Sequence, residues 1–147
     1  MNLKIETGRY QDRLAAIKQI RTKVFQEEQG VSAELEFDGL DDDATHLLAY
    51  LNNQPVGTAR IREIDADTVK IERLAVLPTA RKQGVGKRLM ERALAIVAQS
   101  NKTTIIVHAQ EYIARLYQQL GFRQVGARFD EAGIAHVKMI KQLSSNN

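Results

Sequence analysis

One stretch constrains this chain more than any other: Ile71-Glu72-Arg73-Leu74-Ala75-Val76-Leu77-Pro78-Thr79-Ala80-Arg81-Lys82-Gln83-Gly84-Val85-Gly86-Lys87-Arg88-Leu89-Met90. It reads as a strand, a turn and the start of a helix. Apolar, partly β-branched residues run up to Pro78, which stops the strand. From Gly84 onward the apolar spacing becomes helical. Glycines at a helix entrance let backbone N–H groups approach a ligand with no Cβ in the way. Those first N–H groups have no partner inside the helix, and the helix dipole adds partial positive charge. With Arg81, Lys82 and Lys87 alongside, the turn suits a phosphate or pyrophosphate. Two familiar motifs fail here. A P-loop needs a glycine where Arg81 stands and Ser or Thr where Arg88 stands. A dinucleotide fingerprint needs a third glycine at Leu89.

The remainder reads as a mixed α/β (α+β) chain. Residues 2–8 alternate as a short strand does, and Leu14, Ile17, Ile20, Val24 and Phe25 place one apolar stripe on a helix from Tyr10 to Glu28. Residues 31–44 crowd six acids between Leu35, Phe37 and Leu40. That segment is either a solvated connection or a rim for a cationic group. It lacks the EF-hand pattern for calcium. Strands are expected at Thr45–Leu51, Val56–Ile64 and Thr68–Leu77, joined by turns at Asn52–Pro55 and Asp65–Asp67. A helix from Gly84 to Gln99 precedes a buried strand, Thr103–His108, and a shorter helix, Glu111–Gln119. A last hairpin pairs Phe122–Phe129 with Ile134–Lys141, and the tail Ser144–Asn147 is expected to fray. His46 and His136 are expected on sheet surfaces.

At 147 residues the chain fits one domain, residues 1–147, with one substantial core. The absence of cysteine excludes disulfides, thiolate nucleophiles and cysteine-held metals, and no metal site is expected. No apolar run is long enough to span a bilayer, so the expectation is a soluble, cytoplasmic protein without a membrane partner. A net charge of +3 with interspersed signs, no tryptophan and 5% aromatics argue against a nucleic-acid partner.

Arg81, Gly84 and Gly86 match the signature Gln/Arg-x-x-Gly-x-Gly/Ala in its strand–turn–helix setting. Tyr117 ahead of Gly121-Phe122 matches a second, later motif. On these residues the chain resembles the GNAT N-acetyltransferase family over nearly its whole length. Arg21-x-x-Val24-Phe25-x-x-Glu28-Gln29 and Glu36-x-Asp38 look like its ElaA/YjcF-like subgroup.

The resemblance implies a mostly antiparallel sheet of about seven strands flanked by helices, with Ile71–Leu77 and Thr103–His108 splayed apart. It implies acetyl-CoA as donor and a primary amine as acceptor. Leu74, Ala75 and Val76 would meet the pantetheine arm as an added strand does. The turn Arg81, Lys82, Gln83, Gly84, Val85, Gly86 and Lys87 would hold the pyrophosphate. Tyr117 would protonate the departing thiolate, and backbone N–H near Leu74 or Ala75 would stabilise the oxyanion. Many members carry an asparagine before the second helix; Gln110 stands there and would replace its amide contact. For the base, Glu72 on the central strand is the first candidate. His108 at the end of the next strand is the second, and a water chain is a third. Each has a structural alternative: Glu72 can pair with Arg73, a strand-end histidine can be structural, and Tyr117 shares its helix face with Ile113 and Leu120. A non-catalytic acyl-CoA-binding module is the rival function. Exposed sheet edges leave room for a homodimer.

Overall fold

In a computed structural model, which describes residues 2–143, the chain forms an eight-stranded sheet with helices on both faces. The strands are β1 (Leu3–Arg9), β2 (Thr45–Leu51), β3 (Gln54–Glu63), β4 (Thr68–Val76), β5 (Thr104–Gln110), β6 (Arg123–Gln124), β7 (Phe129–Glu131) and β8 (Ile134–Gln142). Their order is β1-β2-β3-β4-β5-β8-β6, with β7 also on β8. Only β4 and β5 run parallel; the other pairs are antiparallel. The turn at Asn52-Asn53 has positive φ at both residues, as a tight two-residue hairpin requires.

The parallel pair is brief. Thr68, Val69 and Lys70 pair with Thr104, Ile105 and Ile106, and pairing then ends although both strands continue. The expected splay is therefore present, and β4 shows a cause. Between the pairs Thr58↔Ala75 and Arg60↔Glu72, one β3 residue, Ala59, faces two on β4, Arg73 and Leu74. Arg73 takes a left-handed conformation, φ 57. Such a bulge bends its strand and sharpens the local twist.

Helix α3 (Val85–Ala98) packs Val85, Leu89, Met90, Ala93 and Val97 on one face of the sheet, against Leu47, Ile61, Ile71, Ile105 and Val107. It sits close. A Cβ on Gly57 would lie 3.0 Å from Leu89 and 3.2 Å from the Ala75 carbonyl. On the other face α1 (Leu14–Arg21) packs Ile17 and Ile20 with Tyr10, Leu48 and Ala75. This second face is only half covered. Over β4, β5 and β8 it stays open, and the site lies there.

Three expectations are corrected. The first helix is not continuous. Tyr10–Arg13 is a 3-10 turn, α1 follows, and Thr22–Glu28 is a π-helical segment. Its wider winding is seen where Val31 N–H donates to Phe25 O at 2.8 Å and Gln29 N–H to Val24 O at 3.1 Å. The adjacent residues Val24 and Phe25 both turn inward there, and π segments gather at functional sites. The last hairpin is broken at Gly126, φ 81, so β6 and β7 pair separately with β8. His46 and His136 are buried, not surface residues. Tyr10 covers His46, whose Nε2–H donates to Asp41 O at 2.9 Å, and Phe129 stacks on His136. The tail Ser144–Asn147 lies outside the described residues. Among the described residues no helix is long and apolar enough to cross a membrane.

Candidate active site

A cleft of ≈ 520 Å³ opens where β4 and β5 part. β4 supplies one wall with Lys70, Glu72, Leu74, Ala75 and Val76. β5 and α4 (Ala114–Gln119) supply the other with His108, Gln110, Leu116 and Tyr117. The π segment closes one end with Val24, Phe25 and Gln29, and the last hairpin brings Glu131 and His136. The cleft thus gathers Tyr117, Glu72, Leu74, Ala75, Val76, Arg81, Gly86 and Gln110 from the expected site. Lys82, Gln83, Gly84, Val85 and Lys87 are not among its lining residues.

These five belong to the glycine turn at the cleft's edge. Gly84 caps α3 with φ 79, and Lys82 is left-handed too, φ 62. Arg88 N–H donates to Gly84 O at 3.0 Å, and no side chain caps the helix, so the N–H groups of Val85, Gly86 and Lys87 remain for a ligand. Val85 offers only backbone, because its side chain is in the core. A Cβ on Gly84 would meet nothing within 4 Å. Glycine is needed there for its positive φ, rather than for room inside the protein.

Arg81 is not a free cation. Its Nε–H donates to Val76 O at 2.9 Å, and both terminal nitrogens bind the Glu28 carboxylate. That hydrogen bond holds Glu28 below the usual carboxylate range. Gln110 is also engaged. Its amide donates to Gln29 Oε1 at 2.8 Å, and Gln29 donates back at 3.3 Å.

Tyr117 is 5% exposed and packs edge-on against Phe122, ring centroids 5.7 Å apart. Burial pushes its phenol well above 10.0, with a smaller push from Tyr112.

Glu72 lines the cleft, but its carboxylate is held by three cations. Arg60 Nη2 and Arg62 bind it directly, and Lys70 Nζ lies 3.3 Å away. Burial alone would raise its pKa; the arginine hydrogen bonds and the nearby charges outweigh that and hold it down to about 2. A carboxylate so stabilised is a poor acceptor for an amine proton.

Glu72 is one corner of a larger lattice, absent from the sequence reading. Arg60 is fully buried and also binds Asp38, at 3.0 Å, and Asp41, at 2.9 Å. Buried Arg21 binds Glu36 at 2.5 Å and Asp41 at 2.6 Å, with Phe37 against its guanidinium. Arg73, from the bulge, reaches Glu36 at 3.1 Å and Asp38 at 3.2 Å. The acidic segment is therefore neither a solvated connection nor a free rim. Three of its acids are committed to arginines, which removes the argument it gave for a cationic acceptor.

Across the cleft, His108 Nδ1 lies 3.1 Å from Glu131 Oε1, and His136 Nε2 lies 3.6 Å from Glu131 Oε2. The hydrogen bond from His108 is the main cause that lowers Glu131.

The model of the acetyltransferase (GNAT) domain matches residues 11–143. The chain belongs to the GNAT acetyltransferase family. Among its GNAT relatives is the Bacillus subtilis protein named as the uncharacterised N-acetyltransferase YjcF, 35% identical over 83% of this chain and 87% of that one. Escherichia coli ElaA is 31% identical over 88% of each chain. The ElaA crystal structure superposes with a TM-score of 0.85, covering 95% of this chain and 99% of ElaA. A crystallised acyl-CoA N-acyltransferase from Pseudomonas aeruginosa is 31% identical, with TM-score 0.84 over 95% of this chain and 99% of that one. The GNAT fold, with its open, mostly antiparallel sheet, is thus shared along the chain.

Proposed function

We propose that this GNAT protein transfers the acetyl group of acetyl-CoA to a primary amine by direct attack, with Tyr117 as the acid for the thiolate. One observation carries the reading: a single cleft joins the unpaired edge of β4 to Tyr117 and reaches the glycine turn at Gly86. The N–H groups of Val85, Gly86 and Lys87 would take the pyrophosphate, with Lys82 as a nearby cation. Arg81 is assigned to bracing the turn against Glu28 rather than to the phosphates. Backbone of Leu74, Ala75 and Val76 would pair with the pantetheine amides, and Gln110 would exchange Gln29 for that arm. The burial that raises Tyr117 would raise a neighbouring coenzyme thiol as well, which keeps donor and acceptor matched. Much of the rate would come from holding amine and thioester together.

The test is thiol release from acetyl-CoA across an amine panel. Tyr117→Phe should lower kcat by roughly 10²–10⁴ and leave the acetyl-CoA Kd within a few-fold. Unchanged turnover removes the acid role. The clamped Glu72 would also suit a module that binds acyl-CoA without turnover. Tight acetyl-CoA binding with no thiol released from any amine selects that second reading.

A further inference from the structure

The amine must lose a proton before it attacks, and the clamped Glu72 does not serve. The opposite wall offers a different arrangement. His108 stands on β5, in register with Lys138 on β8, and lines the cleft with a side chain 26% exposed. Its Nδ1 is 3.1 Å from Glu131 Oε1 on β7, and Phe129 packs against it edge-on at 5.1 Å. A carboxylate only accepts, so Nδ1 carries the hydrogen and the Nε2 lone pair is left over. Nε2 has no hydrogen-bond partner among the described residues. His136 is arranged differently. Its Nδ1–H donates to Ile134 O at 2.7 Å, its Nε2 faces Glu131, and its side chain is 8% exposed. Glu131 thus bridges two imidazoles, of which His108 is the more open to the cleft.

We infer that His108, oriented by Glu131, takes the proton from the acceptor amine; this rests on the acetyl-transfer reading above. Nε2 removes one proton from the ammonium and frees its lone pair. The nitrogen attacks the thioester carbon, a C–N bond forms, and the C–S bond breaks as the tetrahedral intermediate collapses. The second nitrogen proton leaves to solvent. The thiolate takes the Tyr117 proton, which solvent restores, and His108 sheds its own. One ammonium and one acetyl-CoA give one amide, one thiol and one released proton. Glu131 is a positioning residue: it fixes the tautomer and stabilises the imidazolium as it forms. The other charged groups on this side are His136 and Lys138 from β8, Lys70 and Glu72 from β4, and Arg62 from β3, which binds Glu72.

The experiment is the pH profile of kcat/KM for an amine that releases thiol, with calorimetry of acetyl-CoA alongside. His108→Gln should lower kcat by roughly 100-fold or more and abolish the limb set by the imidazole, at unchanged acetyl-CoA affinity. Glu131 is exposed, so Glu131→Gln is the safer variant for folding. It should move the acid limb to lower pH, because the imidazolium loses its counter-charge. A histidine NMR titration should show the same downward shift in the free enzyme. A purely structural role leaves the activity limb unmoved, although the NMR titration still shifts. An unshifted limb in Glu131→Gln, or half or more of the wild-type kcat in folded His108→Gln, overturns the inference and leaves acetyl transfer standing. Failure of the wild type to release thiol from any amine overturns both.

Discussion

The two walls of the cleft handle charge in opposite ways. On the β3–β4 side, Glu72, Asp38, Glu36 and Asp41 are locked to Arg60, Arg62, Arg73 and Arg21, mostly out of water. Arginine does not titrate at any ordinary pH, so this wall keeps one charge state. On the β5–β7–β8 side, a half-exposed glutamate sits between two histidines, whose side chains can both give and take a proton. A buried arginine lattice fixes geometry, and an imidazole–carboxylate pair moves a proton.

The contrast can be broken most forcefully at Arg60. Arg60→Met strands Asp38, Asp41 and Glu72 together, and stability should fall by about 3–5 kcal/mol in urea denaturation. A loss below about 1 kcal/mol would mean the lattice is ornamental. Acid tests the same wall more gently. Glu72 has a folded pKa of about 2 against an ordinary 4.5. Its contribution is complete above pH 4.5 and lost as pH falls through 2. That contribution is on the order of 3 kcal/mol. Asp38, also lowered, adds in the same direction, whereas Glu36, raised because burial outweighs its arginines, opposes it. Glu72→Gln should flatten the stability curve over that range. The smallest effect belongs to the other wall: Glu131→Gln should change stability by less than about 1 kcal/mol, even as it shifts the activity profile.

The same division explains what was legible in the sequence. Strand, turn and α3 are contiguous, so Pro78, Gly84, Gly86 and the spacing from Val85 to Val97 spelled out the strand–turn–helix architecture directly. Tyr117 and Gly121-Phe122 were likewise one short string. The arginine lattice draws on α1, the acidic segment, β3 and β4, with partners as much as 37 residues apart. No local pattern announces such a set. An unusual concentration of acids around Leu35, Phe37 and Leu40 was the available signal, since acids interleaved with large apolar residues are partly drawn into the core. The π segment hid behind a stripe whose Val24-Phe25 pair fits one helical face almost as well. His46 and His136 alternate correctly for a sheet, but alternation does not say which face a distant loop or ring will cover. Gly126 divided what otherwise reads as one strand.

The parting of β4 from β5 has a consequence for the protein's own safety. Beyond Lys70, two strands in the middle of the sheet carry backbone edges unpaired with each other. Exposed on the rim of a sheet, such edges template association between chains. Here they face one another inside the cleft, which the π segment closes at one end and the last hairpin borders. Their place in the middle of the strand order keeps them off the outer rim, where strand-on-strand pairing between chains starts. The fold thus sets its unpaired inner backbone between its own walls rather than on an outer edge.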